Sequence, residues 1–197
     1  MTTAAFPAPV LASQATFRAM MDAFARPGTV QRLPRGTAAP SPMSAGAAAV
    51  ALAVLDYETP VWLDAALAQG AQVADWIRLH TGARVSSEPA EAAFAFIADP
   101  GDAPAFDLFS PGTPEYPDRS ATLVLQVDDF GSGDGLLLSG PGIADARDFS
   151  ARPLPGDFQA RIAANRALFP RGVDFILASA NEIAALPRSV RLASDKE

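Results

Sequence analysis

The segment Ser139-Gly140-Pro141-Gly142-Ile143 comes closest in residue type to a ligand-binding loop. Two glycines around a proline let the backbone approach a ligand closely, and they can present amide donors to an anion. The Gly-Lys-Ser/Thr of a Walker A loop is missing, as is the G-x-G-x-x-G of a dinucleotide loop. The same five residues therefore also read as a rigid turn ending a strand. Arg171, in Pro170-Arg171-Gly172-Val173-Asp174, and Arg188, in Leu186-Pro187-Arg188, are the other distinctive positions. A guanidinium in either place could clamp a phosphate or a partner carboxylate through two parallel hydrogen bonds, or form an ion pair within the chain. Arg26, before Pro27-Gly28, carries the same ambiguity. Ser139, Gly140, Gly142, Arg171 and Arg188 are thus the candidates for binding a ligand or partner.

Bond-making chemistry has little to work with. The chain has no cysteine, a single histidine (His80) and fourteen arginines against one lysine, Lys196, next to the C-terminal residue. That excludes a thiolate nucleophile, iron–sulfur ligation and a disulfide. One histidine cannot build the usual catalytic zinc site, which takes several His or Cys ligands. A Schiff-base lysine needs a desolvated pocket, which a chain terminus does not provide. No serine sits at a recognisable triad spacing from His80. His80 reads instead as the cation ending a helix, where it meets the negative end of the dipole. Asp128-Asp129 could hold magnesium, but no phosphate cradle adjoins them, and they read as solvating a glycine-rich turn. Glu115 and Asp118 flank Tyr116 in a polar loop, a conceivable acid/base pair. No catalytic or metal-binding residue and no cofactor is assigned.

The elements that would position these residues alternate between helix and strand. Phe17, Met20, Met21 and Phe24 fall at i, i+3, i+4 and i+7, which predicts a helix from about Ser13, its cap, to Ala25. Arg26-Pro27-Gly28 stops it, and Pro34 to Pro42 reads as an extended connection. Ser44 to Leu55 is an alanine-rich helix, Val61-Trp62-Leu63 a short strand, and Val73 to His80 a helix closed by Gly82. Ala92 to Ala98 reads as a buried strand, followed by the proline- and glycine-rich stretch Asp99 to Asp118. Leu123 to Val127 and Leu136 to Leu138 read as a strand pair joined through Gly131-Ser132-Gly133-Asp134-Gly135. A helix from Asp157 to Leu168 and strands at Phe175–Ala178 and Val190–Leu192 complete the set. Helices interleaved with apolar strands predict an α/β protein with a mixed sheet.

At 197 residues the chain fits one domain that needs no disulfide staple, with 1–12 and 193–197 read as mobile tails. Its net charge of −7 argues against general nucleic-acid binding. The longest apolar run, Ala45 to Leu55, is too short to span a bilayer. No basic n-region opens the sequence, so the expected compartment is the cytoplasm.

Taken in order, several of these pieces resemble one known family. Phe17-Arg18, Met20-Met21, Arg26-Pro27-Gly28 and Leu55-Asp56 match its N-terminal part. Gly82-Ala83, then Gly112-Thr113-Pro114-Glu115-Tyr116-Pro117 and Ser120-Ala121-Thr122, resemble its middle. Leu138-Ser139-Gly140-Pro141-Gly142-Ile143, Phe169-Pro170-Arg171-Gly172-Val173-Asp174 and Leu186-Pro187-Arg188 resemble its C-terminal signature. The family is PhnH, a subunit of the bacterial carbon–phosphorus lyase core complex, and the resemblance runs from about residue 13 to 191. It implies a three-layer fold similar to pyridoxal-phosphate-dependent transferases but lacking the cofactor site, a homodimer in isolation, and assembly with PhnG, PhnI and PhnJ. In that pathway the complex replaces the adenine of MgATP with a phosphonate. PhnI is regarded as the catalytic subunit for that step, and PhnJ later cleaves the carbon–phosphorus bond. The implied role is therefore non-catalytic but required. A free-standing transferase binding a phosphorylated or phosphonate ligand at the Ser139–Ile143 turn is the alternative.

Overall fold

The computed structural model describes residues 9–193. Its centre is a six-stranded mixed sheet. The strands are β1 (Gln31–Arg32), β2 (Val61–Leu63), β3 (Phe94–Ile97), β4 (Thr122–Gln126), β9 (Asp174–Ala178) and β10 (Glu182–Leu186), in the order β1-β10-β9-β4-β3-β2. β2, β3, β4 and β9 run parallel, with Phe94 opposite Thr122 and Thr122 opposite Asp174. β10 turns back antiparallel on β9, and β1 is antiparallel to β10 at the edge.

Both faces of this sheet are buried, so its strands read as continuous apolar runs. Period two still sorts them. Phe96, Val124, Ile176 and Ile183 enter one core, and Ala95, Ile97, Leu123, Leu125, Phe175 and Leu177 enter the other. The first core is covered by the helices α1 (Pro9–Ala25), α2 (Ala45–Val54), α3 (Ala65–Ala68) and α4 (Gln72–Thr81). The second is covered by α5 (Phe158–Ala167), by short 3-10 turns at Pro100–Asp102 and Phe106–Leu108, and by a small sheet. That sheet is built from β6 (Leu136–Ser139), β7 (Arg147–Phe149) and β11 (Arg191–Leu192), with β6 in the middle. A clip of β5 (Asp129–Phe130) with β8 (Ala151–Arg152) lies beside it.

The expected pairing of Leu123–Val127 with Leu136–Leu138 does not form. β4 lies between β3 and β9, while β6 pairs with β7 and β11. Gly131 and Gly133 do adopt positive φ, but their turn leads from β5, which pairs with β8, into β6. Burial explains the choice: β4 is buried on both faces after Thr122, whereas β6 alternates buried and half-buried.

Helix α1 begins at Pro9, earlier than Ser13, so residues 9–12 belong to it and not to a tail. Ser13 lies inside the helix and donates from Oγ to the Leu52 carbonyl at 3.4 Å. The face it buries is Ala12, Thr16, Met20 and Ala23, whereas Phe17 and Met21 of the predicted stripe are half-exposed. Ser44 caps α2 as expected, accepting from the Ala47 amide at 3.1 Å. Gly82 ends α4 in the left-handed conformation (φ 76°), its amide bonding the Arg78 carbonyl at 3.0 Å.

Candidate functional site

The Gly-Pro-Gly turn leaves the end of β6, where Ser139 is registered with Arg191 of β11. Gly140 and Gly142 have φ of +130° and +83°, which L side chains rarely adopt. A Cβ on Gly140 would lie 3.0 Å from the Ser189 carbonyl oxygen. One on Gly142 would collide with the Ala25 carbonyl oxygen and stand 2.7 Å from Pro27 Cδ. The close approach that these glycines permit is therefore to the protein's own backbone. Gly28 completes the junction: its amide bonds the Ala185 carbonyl at 3.2 Å, and its Cα side abuts Leu138. Arg147 fastens it by donating to the Pro27 carbonyl at 3.0 Å. Three segments far apart in sequence, 25–28, 138–142 and 189–191, thus form one packed corner.

Arg188 is occupied as well. Its Nε donates to Asp174 Oδ1 at 3.1 Å, its Nη2 to Asp174 Oδ2, and its Nη1 to the Pro117 carbonyl. The Arg188 amide also donates to Asp174 Oδ1, at 2.7 Å. Both side chains are only about one-sixth exposed (15% and 16%), so this fork ties β9, the end of β10 and the 110–121 loop together. Arg171 has a different situation. Its amide bonds the Leu168 carbonyl at 3.0 Å, but its half-buried guanidinium has no partner among the described residues. The neighbouring Gly172 amide bonds the Pro111 carbonyl at 2.8 Å, so Arg171 and Arg188 flank the same loop. Arg26 pairs with Asp22 at 3.1 Å on the surface.

In open α/β sheets, ligands sit outside the carboxyl ends of parallel strands. Here that edge is filled from within. Gln126, ending β4, accepts from the Ser44 amide at 2.5 Å and donates to the Pro42 carbonyl at 3.1 Å. Gly46 of α2 packs so closely on the Ser179 carbonyl that a Cβ there would overlap it. Asp64, after β2, is spent on the amides of Leu67 (2.9 Å), Ala98 (2.7 Å) and Asp99 (3.3 Å). Asn165 is used similarly, holding the Val173 amide and carbonyl at 2.8 and 2.9 Å. These buried polar residues escaped sequence reading. Their only signal was an amide or carboxylate standing inside or just after an apolar run.

The remaining candidates are separate. His80 lies in the last turn of α4 and stacks on Trp76 with ring centroids 4.9 Å apart. Asp129 accepts from Ser132 Oγ and, at 3.0 Å, from Arg152 Nε. The Ser132 hydrogen bond, then the Arg152 interactions, hold its carboxyl below the usual carboxylate range. Asp56 is lowered likewise, first by the Thr59 hydroxyl and then by the Glu58 amide. Tyr116 lies under the Arg119 guanidinium, 4.3 Å from ring centroid to Cζ, in a loop whose Thr113 Oγ1 accepts from the Tyr116 amide. Among the described residues no group of three His, Cys, Asp or Glu could hold a metal ion. No helix among them is long and apolar enough to cross a membrane.

Two grooves flank α5. One, of about 500 Å³, opens at its first turn beside Arg152 and Pro155. The other, of about 400 Å³, lies between Phe106, Phe109, Pro111, Arg161, Leu168 and Val173. Arg161 is held there by Asp157 at 2.6 Å and by the carbonyls of Ala103 and Pro104.

The fold and this corner define an α/β protein with a mixed sheet, in which Gly28, Gly140, Gly142 and most of the distinctive polar side chains are engaged in holding its own loops. The family model described as "Bacterial phosphonate metabolism protein (PhnH)" matches residues 4–193, and the chain belongs to that family. It is 44% identical over 188 residues to the alpha-D-ribose 1-methylphosphonate 5-triphosphate synthase subunit PhnH of Rhizobium meliloti (strain 1021). That match covers 95% of this chain and 94% of the relative. It is 36% identical over 182 residues to a protein of Stutzerimonas stutzeri provisionally named C-P lyase subunit protein HtxG, covering 91% and 85% of the two chains.

Proposed function

We propose that this chain is a non-catalytic but required subunit of a carbon–phosphorus lyase core complex. In this reading it supports phosphonate transfer onto MgATP, with release of adenine, through contacts with PhnG, PhnI and PhnJ. It does so as a single cytoplasmic domain that pairs with itself when alone. The observation that carries the reading is the outer face of α1. Val10, Leu11, Phe17 and Met21 are 80%, 68%, 50% and 54% exposed, so four of the eleven exposed large apolar side chains among the described residues lie on this one helix. Val10, Phe17 and Met21 follow the 7- and 4-residue steps of a helix-pairing seam, while Phe24, three residues on, is half-buried against the chain's own core. Exposed apolar stripes of this kind mark protein interfaces.

The relation to pyridoxal-phosphate-dependent transferases, without a cofactor site, belongs to this reading through the family resemblance alone. The engagement of Gly140, Gly142 and Arg188 within the chain speaks against the free-standing transferase, whose ligand was to sit at that turn. In this reading Gly140, Gly142 and Arg188 serve the packing of the subunit, while the Arg171 guanidinium and the Ser139 hydroxyl, neither with a hydrogen-bond partner among the described residues, stay open to a ligand or partner. Co-purification with tagged PhnI, and loss of complex activity when this chain is omitted, is the expected result. Full activity of the other subunits without it would defeat the reading.

A further inference from the structure

Carboxylates outnumber cations in this chain, twenty-two Asp and Glu to fifteen Lys and Arg. Eight of the fourteen arginines nevertheless make no ion pair among the described residues, and three of these come from two segments that touch. Arg119 belongs to the 110–121 loop, while Arg166 and Arg171 bracket Phe169-Pro170. The Gly172 amide joins these segments through the Pro111 carbonyl at 2.8 Å, and the Asp174 amide joins them again through the Ala121 carbonyl at 3.2 Å. None of the three guanidinium groups makes an ion pair or hydrogen bond among the described residues, although Glu115 and Asp118 share the loop.

Two of these guanidinium groups are held in place by stacking. Arg119 lies 4.3 Å from the Tyr116 ring centroid and Arg166 4.3 Å from that of Phe169, and both rings are half-exposed (52% and 50%). A guanidinium stacked on a ring keeps its in-plane N–H donors for a third group. Polar atoms at the same joint lack partners: Ser120 Oγ and Arg166 Nε are both shut away from water with no hydrogen bond. Each carries the desolvation cost of an unmade hydrogen bond, and a movement of the side chains would have to open it before an oxyanion could relieve that cost. The 400 Å³ groove also ends here, since Pro111, Leu168 and Val173 line it and flank the Gly172–Pro111 hydrogen bond. Phe106, Phe109 and Leu168 give it an apolar floor, and Asp107, Asp157 and Arg161 also line it, Asp157 being paired with Arg161, so the three arginines adjoin the groove without lining it.

We infer that Arg119, Arg166 and Arg171 form a site for a phosphate-type oxyanion, the body of the ligand lying toward the Phe106–Leu168 groove. This deepens the reading of the chain as a subunit in phosphonate metabolism by giving one of its faces a ligand. Phosphate, phosphonate and the phosphates of a nucleotide share the recognised chemistry: a tetrahedral, negatively charged group with several acceptor oxygens, suited to forked donors.

The test is titration calorimetry on the full chain with inorganic phosphate, methylphosphonate, pyrophosphate and ATP at two salt concentrations. Saturable binding of at least one of them is expected. R119A/R171A should weaken it about a hundredfold, about tenfold for each guanidinium removed. R18A, which removes an exposed arginine of α1, should leave it unchanged. R171K, which keeps the charge but loses the fork, should weaken binding several-fold. Circular dichroism confirms that each variant is folded.

Absence of heat with all four ligands would overturn the site, as would equal weakening by R18A, the mark of diffuse attraction. Pull-down with the companion subunits separates this inference from the reading beneath it. If R119A/R171A loses its companions while ligand titration is unchanged, the three arginines serve a partner's carboxylates and the site is wrong. If the unaltered chain binds phosphate but never co-purifies, the site stands and the subunit role falls.

Discussion

Removing the Arg188 side chain separates a structural arginine from a ligand-binding one. Arg188→Ala leaves the Asp174 carboxylate, 16% exposed, with the Arg188 backbone amide as its one remaining donor of those described, and it strips the Pro117 carbonyl of its partner. Breaking a fully buried ion pair on one side costs about 3–5 kcal/mol. This pair is partly wetted and Asp174 keeps the amide at 2.7 Å, so about 2–3 kcal/mol is the expected loss. For a chain of this length that lowers Tm by about 4–12 °C. Urea unfolding of the two single variants, Arg188→Ala and Asp174→Ala, and of the double variant closes a double-mutant cycle. A coupling energy of about 1–2 kcal/mol is expected, because removing Asp174 first leaves the arginine little to lose. A coupling near zero, with Arg188→Ala within about 0.5 kcal/mol of the unaltered chain, would refute the structural assignment and make Arg188 a candidate for ligand binding again.

Other consequences follow from the same geometry. Gly46→Ala should destabilise: the helix gains about 0.5–1 kcal/mol from losing a glycine, but overpacking against the Ser179 carbonyl costs about 1–3 kcal/mol with backbone on both sides. A Tm equal to or above that of the unaltered chain would show that α2 can shift away. Phe17→Glu/Met21→Glu should change stability by less than about 1 kcal/mol, since both residues are half-exposed, yet abolish co-purification with the companion subunits. Retained co-purification would move the interface elsewhere. Ser132→Ala should raise the Asp129 pKa toward the ordinary carboxylate range, followed by NMR titration of its carboxyl carbon. Because the folded value is depressed, Asp129 contributes stability above the unfolded value. That contribution is lost as the pH falls through the folded value, so the unaltered chain should show more acid-dependent loss there than the variant. No difference between the two would show that Ser132 does not hold the carboxylate.

Local chemistry made much of this legible in advance. Ser44 before an alanine run, Gly82 after Thr81, and the apolar blocks at Val61, Phe94, Leu123 and Phe175 announced α2, the end of α4 and four parallel strands. Each signal lies within the few residues that form the cap, turn or strand. β10 was not legible. Glu182-Ile183-Ala184-Ala185-Leu186 has alanines that favour helix, and it is extended because β9 and β1 pair with it on either side. The Phe17–Phe24 stripe was legible as a helix but not in its orientation. Periodicity reports which residues share a face, whereas Ala12, Thr16, Met20 and Ala23 pack inward because small side chains let α1 approach its neighbours closely.

The sequence by itself determined the inventory: no thiol, one imidazole, one lysine, and an ordered set of glycine- and arginine-bearing segments that placed the chain in its family. It could not say what those segments face. Gly142 reads the same whether its missing Cβ makes room for a phosphate or for the Ala25 carbonyl, and Arg188 reads the same whether its fork meets a ligand or Asp174. Only the tertiary structure decided, because these contacts join residues up to 117 positions apart, and a pairing of that span leaves no periodic trace in the residues between.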